Sequence, residues 1–195
     1  MSAAQLEKRA GMACEVRVSE DGKRLVGYAA KFDSPSEPIG GHFREIIRKG
    51  AFADSLKAGA DVRLLVNHDP GKLLARTKSG TLTLTEDDVG LRFDAVLPAT
   101  TLAKDVVEQV GRGDLSGMSF GFNKLRDNWG EDAQGFTLRE LLAVSIFDVS
   151  LATYPAYDDT EVSLREYDAW KAKRPTPRRA AADRRMRMLS ATLRG

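Results

Sequence analysis

Apolar residues along this chain recur mostly with period two, and only in short stretches with helical spacing. Cys14–Val18 and Leu25–Phe32 alternate on either side of Asp21-Gly22-Lys23 and predict a hairpin. Thr81–Thr85 and Leu91–Leu97 flank Glu86-Asp87-Asp88-Val89-Gly90 and predict a second. Val62–Asn67 reads as a strand, and Leu115–Phe122 as another. Gln134–Thr153 reads as a long strand buried on both faces, turned off by Tyr154-Pro155-Ala156-Tyr157. Helical patterns are few. Gly50–Gly59 places Phe52 and Leu56 on one face. Thr100 or Thr101 caps a stripe of Leu102, Val106, Val107 and Val110 that Gly111 and Gly113 end. Asp33–Gly41 and Asn123–Gly135 read as loops, and Trp170 marks the end of the body. The expected fold is mainly β or α+β: a bent antiparallel sheet or small closed β-barrel with peripheral helices.

Composition narrows this to one domain with an adequate core, 195 residues at 42% hydrophobic content. No apolar run is long enough to span a membrane, and the first residues lack the apolar core of a secretory signal. The single cysteine, Cys14, excludes an intramolecular disulfide and fits a reducing compartment. One cysteine and two distant histidines, His42 and His68, give no zinc-ligand spacing, and no metal or other cofactor is expected. Charge is uneven. Residues 171–195 carry nine Lys or Arg against one Asp, a net +8, so with +2 overall the rest carries −6. The expected organisation is a flexible leader over 1–12, a folded domain over 13–167 and a basic, proline-containing tail over 168–195. The tail reads either as a solvated segment or as a recruitment arm for an acidic partner. Nucleic acid is a weaker partner, reached only through this tail.

Three polar residues stand out against the apolar runs. On Leu115–Phe122, Ser119 shares a face with Gly121, and Phe120 and Phe122 share the other. A hydroxyl beside a bare backbone suits acyl transfer, because a carbonyl must come into contact with the oxygen. A serine on a half-buried strand is equally an ordinary structural residue. His68 follows Val62–Asn67 and precedes Asp69-Pro70-Gly71. It reads as a surface histidine capping a turn, or as an imidazole aimed into a cleft, where it exchanges protons near neutrality. Asp148 is the lone charge within Leu141–Ala152, and a buried carboxylate needs a partner. That partner is an arginine, several backbone donors, or an imidazole that the carboxylate holds in one tautomer. Arg139, earlier on the same strand, is expected at the surface rather than at an oxyanion.

The ordered set Gly27-Tyr28-Ala29-Ala30-Lys31-Phe32, Phe43-Arg44-Glu45 with Gly50-Ala51-Phe52, Asn67-His68-Asp69, Gly80-Thr81-Leu82 to Gly90-Leu91, Met118-Ser119-Phe120-Gly121-Phe122, and Asp148-Val149-Ser150-Leu151 with Tyr154-Pro155-Ala156-Tyr157 resembles the prohead proteases of tailed bacteriophages. The likeness runs from about residue 14 to 165. It implies a serine endopeptidase related in fold to the herpesvirus assemblins, with His68, Ser119 and Asp148 as catalytic residues and backbone N–H groups at the oxyanion. It implies the phage major capsid and scaffold proteins as substrates, self-cleavage and a homo-oligomer as further options, and the host cytoplasm, inside the assembling prohead, as location. Relatives often carry Glu where Asp148 stands, which leaves open whether the shorter side chain reaches His68. Ser116 is the rival nucleophile; regular alternation puts it opposite Ser119, and a bulge at Gly117 would change that. The alternative function is a non-catalytic capsid or scaffold component that keeps the fold.

Overall fold

The computed structural model describes residues 6–11, 16–153 and 160–173. Along the chain these form β1 (Leu6–Gly11), β2 (Val16–Val18), β3 (Arg24–Lys31), β4 (Arg44–Ile47), α1 (Ala53–Lys57), β5 (Arg63–Val66) and β6 (Asp69–Arg76). There follow β7 (Leu82–Glu86), β8 (Gly90–Val96), α2 (Thr101–Arg112), β9 (Gly117–Glu131), β10 (Thr137–Ala152) and α3 (Thr160–Lys173). One sheet runs β1-β9-β10-β5-β6 with β4 also on β10; the other runs β2-β3-β8-β7. The expected mainly-β architecture with peripheral helices is present. Two of its pairings, β10 with β4 and β10 with β5, are parallel, so the larger sheet is mixed.

The hairpins and α2 fold as their local chemistry directs. The Thr100 side chain accepts from the Ala103 N–H at the start of α2, and Gly113 ends it at φ 82°, a left-handed conformation that costs glycine nothing. The core draws Leu25, Leu91 and Phe93 from the smaller sheet and Leu64, Met118, Phe120, Phe122 and Leu151 from the larger. Phe52, just before α1, meets the Phe120 ring edge-on at 5.4 Å.

β10 is where simple alternation fails. Its most deeply buried apolar positions are Leu141, then Val144 and Ile146, then Val149 and Leu151. The phase changes twice, and the register shifts where it does, around Ala143 and between Ile146 and Asp148. Each bulge adds a residue and flips the side chains that follow. The run that reads as buried on both faces is thus a bent strand whose core face switches along its length.

Several expectations are corrected. Asn123–Gly135 is not a loop: β9 continues to Glu131 and pairs with β10 as far as Thr137. Residues 6–11 of the expected flexible leader form β1, paired with β9 from Leu6↔Asn123 to Gly11↔Met118. Arg139 is not at the surface but fully buried. Its Nη1 donates to Glu7 Oε2 at 2.7 Å and Glu45 Oε2 at 3.1 Å, and its Nε to Asp127 Oδ2 at 2.9 Å; a further bond goes to Glu166. Arg9 joins through Glu45 at 2.8 Å and Glu7 at 2.5 Å. Charges in such a place persist only when paired, and this network ties β1, β4, β9, β10 and α3 together.

The boundary expected at 167/168 falls inside α3, where Trp170 stacks on Trp129 at 5.7 Å and Tyr167 on His42 at 5.4 Å. The expected turn at 154–157, Cys14 and the basic segment beyond Lys173 lie outside the described residues.

Candidate active site

The turn between β5 and β6 sets the position of His68. Val66 pairs with Asp69, leaving Asn67 and His68 as a two-residue connection in which both have positive φ, 52° and 54°. This is the backbone of a type I′ hairpin turn, whose twist suits antiparallel strands. The turn therefore falls on Asn67-His68, two residues before the Asp69-Pro70-Gly71 that suggests it. Pro70 sits in β6, an edge strand, where a missing N–H is tolerated. Asparagine and histidine are among the residues that visit this region most readily. The turn is pinned from outside. The Asn67 N–H donates to Leu151 O at 2.8 Å, Asn67 Oδ1 accepts from the Thr153 N–H at 2.9 Å, and the His68 N–H donates to Ser150 Oγ at 3.2 Å.

On β9, Met118, Phe120 and Phe122 fill the core and Ser119 takes the other face with Gly121, as alternation predicts. Across the ladder Ser150 pairs with Ser119 and Asp148 with Gly121. The bulge at Phe147 allows this: it lets Ile146 and Val149 both face the core, while Asp148 joins Ser119 on the other face.

His68 is thereby brought between two strands that meet it from the same side. Its Nδ1 is 2.5 Å from Asp148 Oδ1 and its Nε2 is 2.7 Å from Ser119 Oγ. All three side chains are largely withdrawn from solvent: His68 is 2% exposed and Asp148 9% over the side chain, and Ser119 4% overall. With Asp148 accepting the Nδ1 proton, the Nε2 lone pair faces the serine hydroxyl, the tautomer that general-base activation of a serine requires. Asp148 reaches the imidazole directly despite its short side chain. Arg63, its Cα partner on β5, instead pairs with Asp61 at 3.1 Å.

The remaining sequence candidates separate cleanly. Ser116 is exposed and precedes β9, and the described bonds of the His68 ring go to Asp148, Ser119 and Ser150. Arg139 lies near the opposite end of β10, held in its ion network. His42 stacks on Tyr167. Among the described residues, no group of three or more His, Cys, Asp or Glu is arranged to hold a metal ion. No described helix is long and apolar enough to cross a membrane.

Two functional details escape the sequence reading. Gly121 appears there as bare backbone open to a substrate, but that space is occupied: a Cβ built on it would lie 2.2 Å from Asp148 Oδ2. The missing side chain makes room for the carboxylate. Ser150 is fully buried beside Asp148, and its only sequence signal is the i, i+2 spacing that puts it on the same face.

A family model described as Caudovirus prohead serine protease matches residues 12–173. No curated protein matches the chain. Among solved structures, the fold is similar to that of the bacteriophage T4 capsid assembly protease, at 9% sequence identity and a TM-score of 0.47, over 76% of this chain and 97% of that one.

Proposed function

The chain belongs to the caudovirus prohead serine protease family and is a serine-type peptidase, and from that premise we propose that Ser119, His68 and Asp148 are its catalytic triad and that it cleaves capsid and scaffold proteins during prohead maturation. The observation that carries the triad is the pair of contacts made by one imidazole, 2.5 Å to Asp148 and 2.7 Å to Ser119. His68 Nε2 takes the Ser119 proton as Oγ attacks the scissile carbonyl. Asp148 keeps the proton on Nδ1 and stabilises the imidazolium that forms. Backbone N–H groups stabilise the oxyanion. His68 then protonates the leaving amine, an acyl-serine remains, and water attacks it by the same proton path in reverse.

The same reading makes the basic segment beyond Lys173 a recruitment arm for an acidic scaffold, with the host cytoplasm inside the assembling prohead as the place of the reaction. Self-cleavage is a further reaction of the same site.

The test is co-expression of wild type or Ser119→Ala with the capsid and scaffold proteins of the same virus, followed by intact mass measurement. Trimmed chains with wild type and full-length chains with Ser119→Ala are expected. Equal trimming by both refutes Ser119 as the nucleophile.

A further inference from the structure

We propose that Ser150 is a positioning residue of this site, whose single hydroxyl fixes both the Asp148 carboxylate and the His68 turn; the inference rests on the Ser119–His68–Asp148 reading. Ser150 is fully buried. Its Oγ is 3.0 Å from Asp148 Oδ1, 3.2 Å from the His68 backbone N and 3.3 Å from His68 Nδ1.

The direction of each bond is forced. A hydroxyl has one proton to give and two lone pairs. The His68 backbone N–H and, in the productive tautomer, Nδ1–H are donors, so the Ser150 proton goes to Asp148 Oδ1. That oxygen then receives both Ser150 and His68, and the carboxylate cannot rotate without losing one of them. In the other direction Ser150 accepts from the backbone N–H of His68, a half-buried residue held at positive φ. Placed two residues beyond Asp148 on the same face and directly across from Ser119, Ser150 links the His68 end of the turn to the carboxylate, while Asn67 ties the other end to Leu151 and Thr153.

A buried serine that merely filled space would affect folding and leave the chemistry of folded molecules alone. A positioning serine affects the chemical step. An alkyl fluorophosphonate, which labels an activated serine without any need for the natural substrate, separates the two. Ser150→Ala is expected to lower the inactivation rate constant about 10- to 100-fold with the probe's KI unchanged, from loss of a bond to a charged group. Ser150→Thr, which keeps the hydroxyl, restores most of the rate. Ser150→Cys, close in volume with a far weaker donor, is slowed several-fold, and decides the matter if the alanine variant does not fold. Wild-type labelling rates in folded Ser150→Ala or Ser150→Cys, with Ser119→Ala unlabelled, overturn the role of Ser150 and leave the triad standing. Wild-type labelling of Ser119→Ala overturns the triad and this inference with it.

Discussion

Replacing Gly121 by alanine tests the site geometry with one methyl group, placed outside the three side chains of the proposed triad. The added Cβ would lie 2.2 Å from Asp148 Oδ2, 3.1 Å from its Cγ and 2.7 Å from Phe147 Cε2. Real Cβ contacts do not fall below 3.0 Å, so the carboxylate must withdraw by roughly 1 Å in a close-packed setting. The 2.5 Å contact from Asp148 to His68 then opens to the limit of a hydrogen bond. A displacement of this size typically costs about 100-fold in rate. Losing a hydrogen bond to a charged group, about 1.5–3 kcal/mol, leads to the same range, about 10- to 150-fold. Overpacking against Phe147 adds a stability loss of about 1–3 kcal/mol, partly offset by about 0.4–1 kcal/mol from the stiffer unfolded chain. The assay is fluorophosphonate labelling beside thermal unfolding. Labelling should slow about 100-fold in a protein that still unfolds cooperatively. In an Asp148→Ala background, where the obstructed carboxylate is gone, Gly121→Ala should have almost no further effect on labelling. Wild-type labelling by Gly121→Ala would refute the placement of Asp148 over Gly121.

Three further outcomes are expected. Asn67→Ala removes the bonds to Thr153 and disfavours positive φ, so both stability, by about 1–2 kcal/mol, and labelling rate should fall; loss of stability at an unchanged labelling rate would show that the turn does not set the imidazole. Arg139→Met leaves Glu7, Glu45 and Glu166 without their shared cation and should cost about 3–5 kcal/mol in urea unfolding, whereas a loss under about 1 kcal/mol would contradict the network. Burial pushes the Glu7 carboxyl up, but hydrogen bonding to Arg139 and the charges of Arg9 and Arg139 outweigh it and hold Glu7 below its ordinary 4.5. Its contribution is therefore full above pH 4.5 and lost as pH falls through the lowered value. Thermal unfolding of wild type should converge towards that of Glu7→Gln on acidification, and a constant gap between them would refute this.

The elements legible in the sequence are those whose signals are local. The Thr100 cap, the Gly113 stop and the stripe between them delimit α2 without reference to the rest of the chain. Asp21-Gly22 does the same for the first hairpin. Ser119 could be placed opposite Phe120 and Phe122 because β9 is regular there. What was not legible depends on partners distant in sequence. No feature of Asn123–Glu131 marks it as strand; its polar residues are strand because β10 runs beside them, and Asp127 belongs to the Arg139 network. β1 contains Glu7, Lys8 and Arg9 in six residues, a solvated pattern by composition, and is held by the ions Glu45 of β4 and Arg139 of β10. The bulge at Phe147 shows only as a phase slip between Ile146 and Val149, which a reading as fully buried strand conceals. That slip is what sends Asp148 to the side of Ser119.

The parallel seam between β5 and β10 also has a consequence in time. His68 lies in a tight hairpin that closes from neighbouring residues, whereas Asp148 and Ser150 reach it only when β10 has been synthesised and docked, Asp148 against Arg63 and Leu151 against Val66. Such long-range pairings form late, because a large loop must be closed before they contribute anything. β10 also orders β9 along most of its length and so fixes Ser119, the proposed nucleophile. A nascent or half-folded chain holds the histidine without an oriented serine or carboxylate. With the proposed triad, proteolytic competence arises only together with the completed fold.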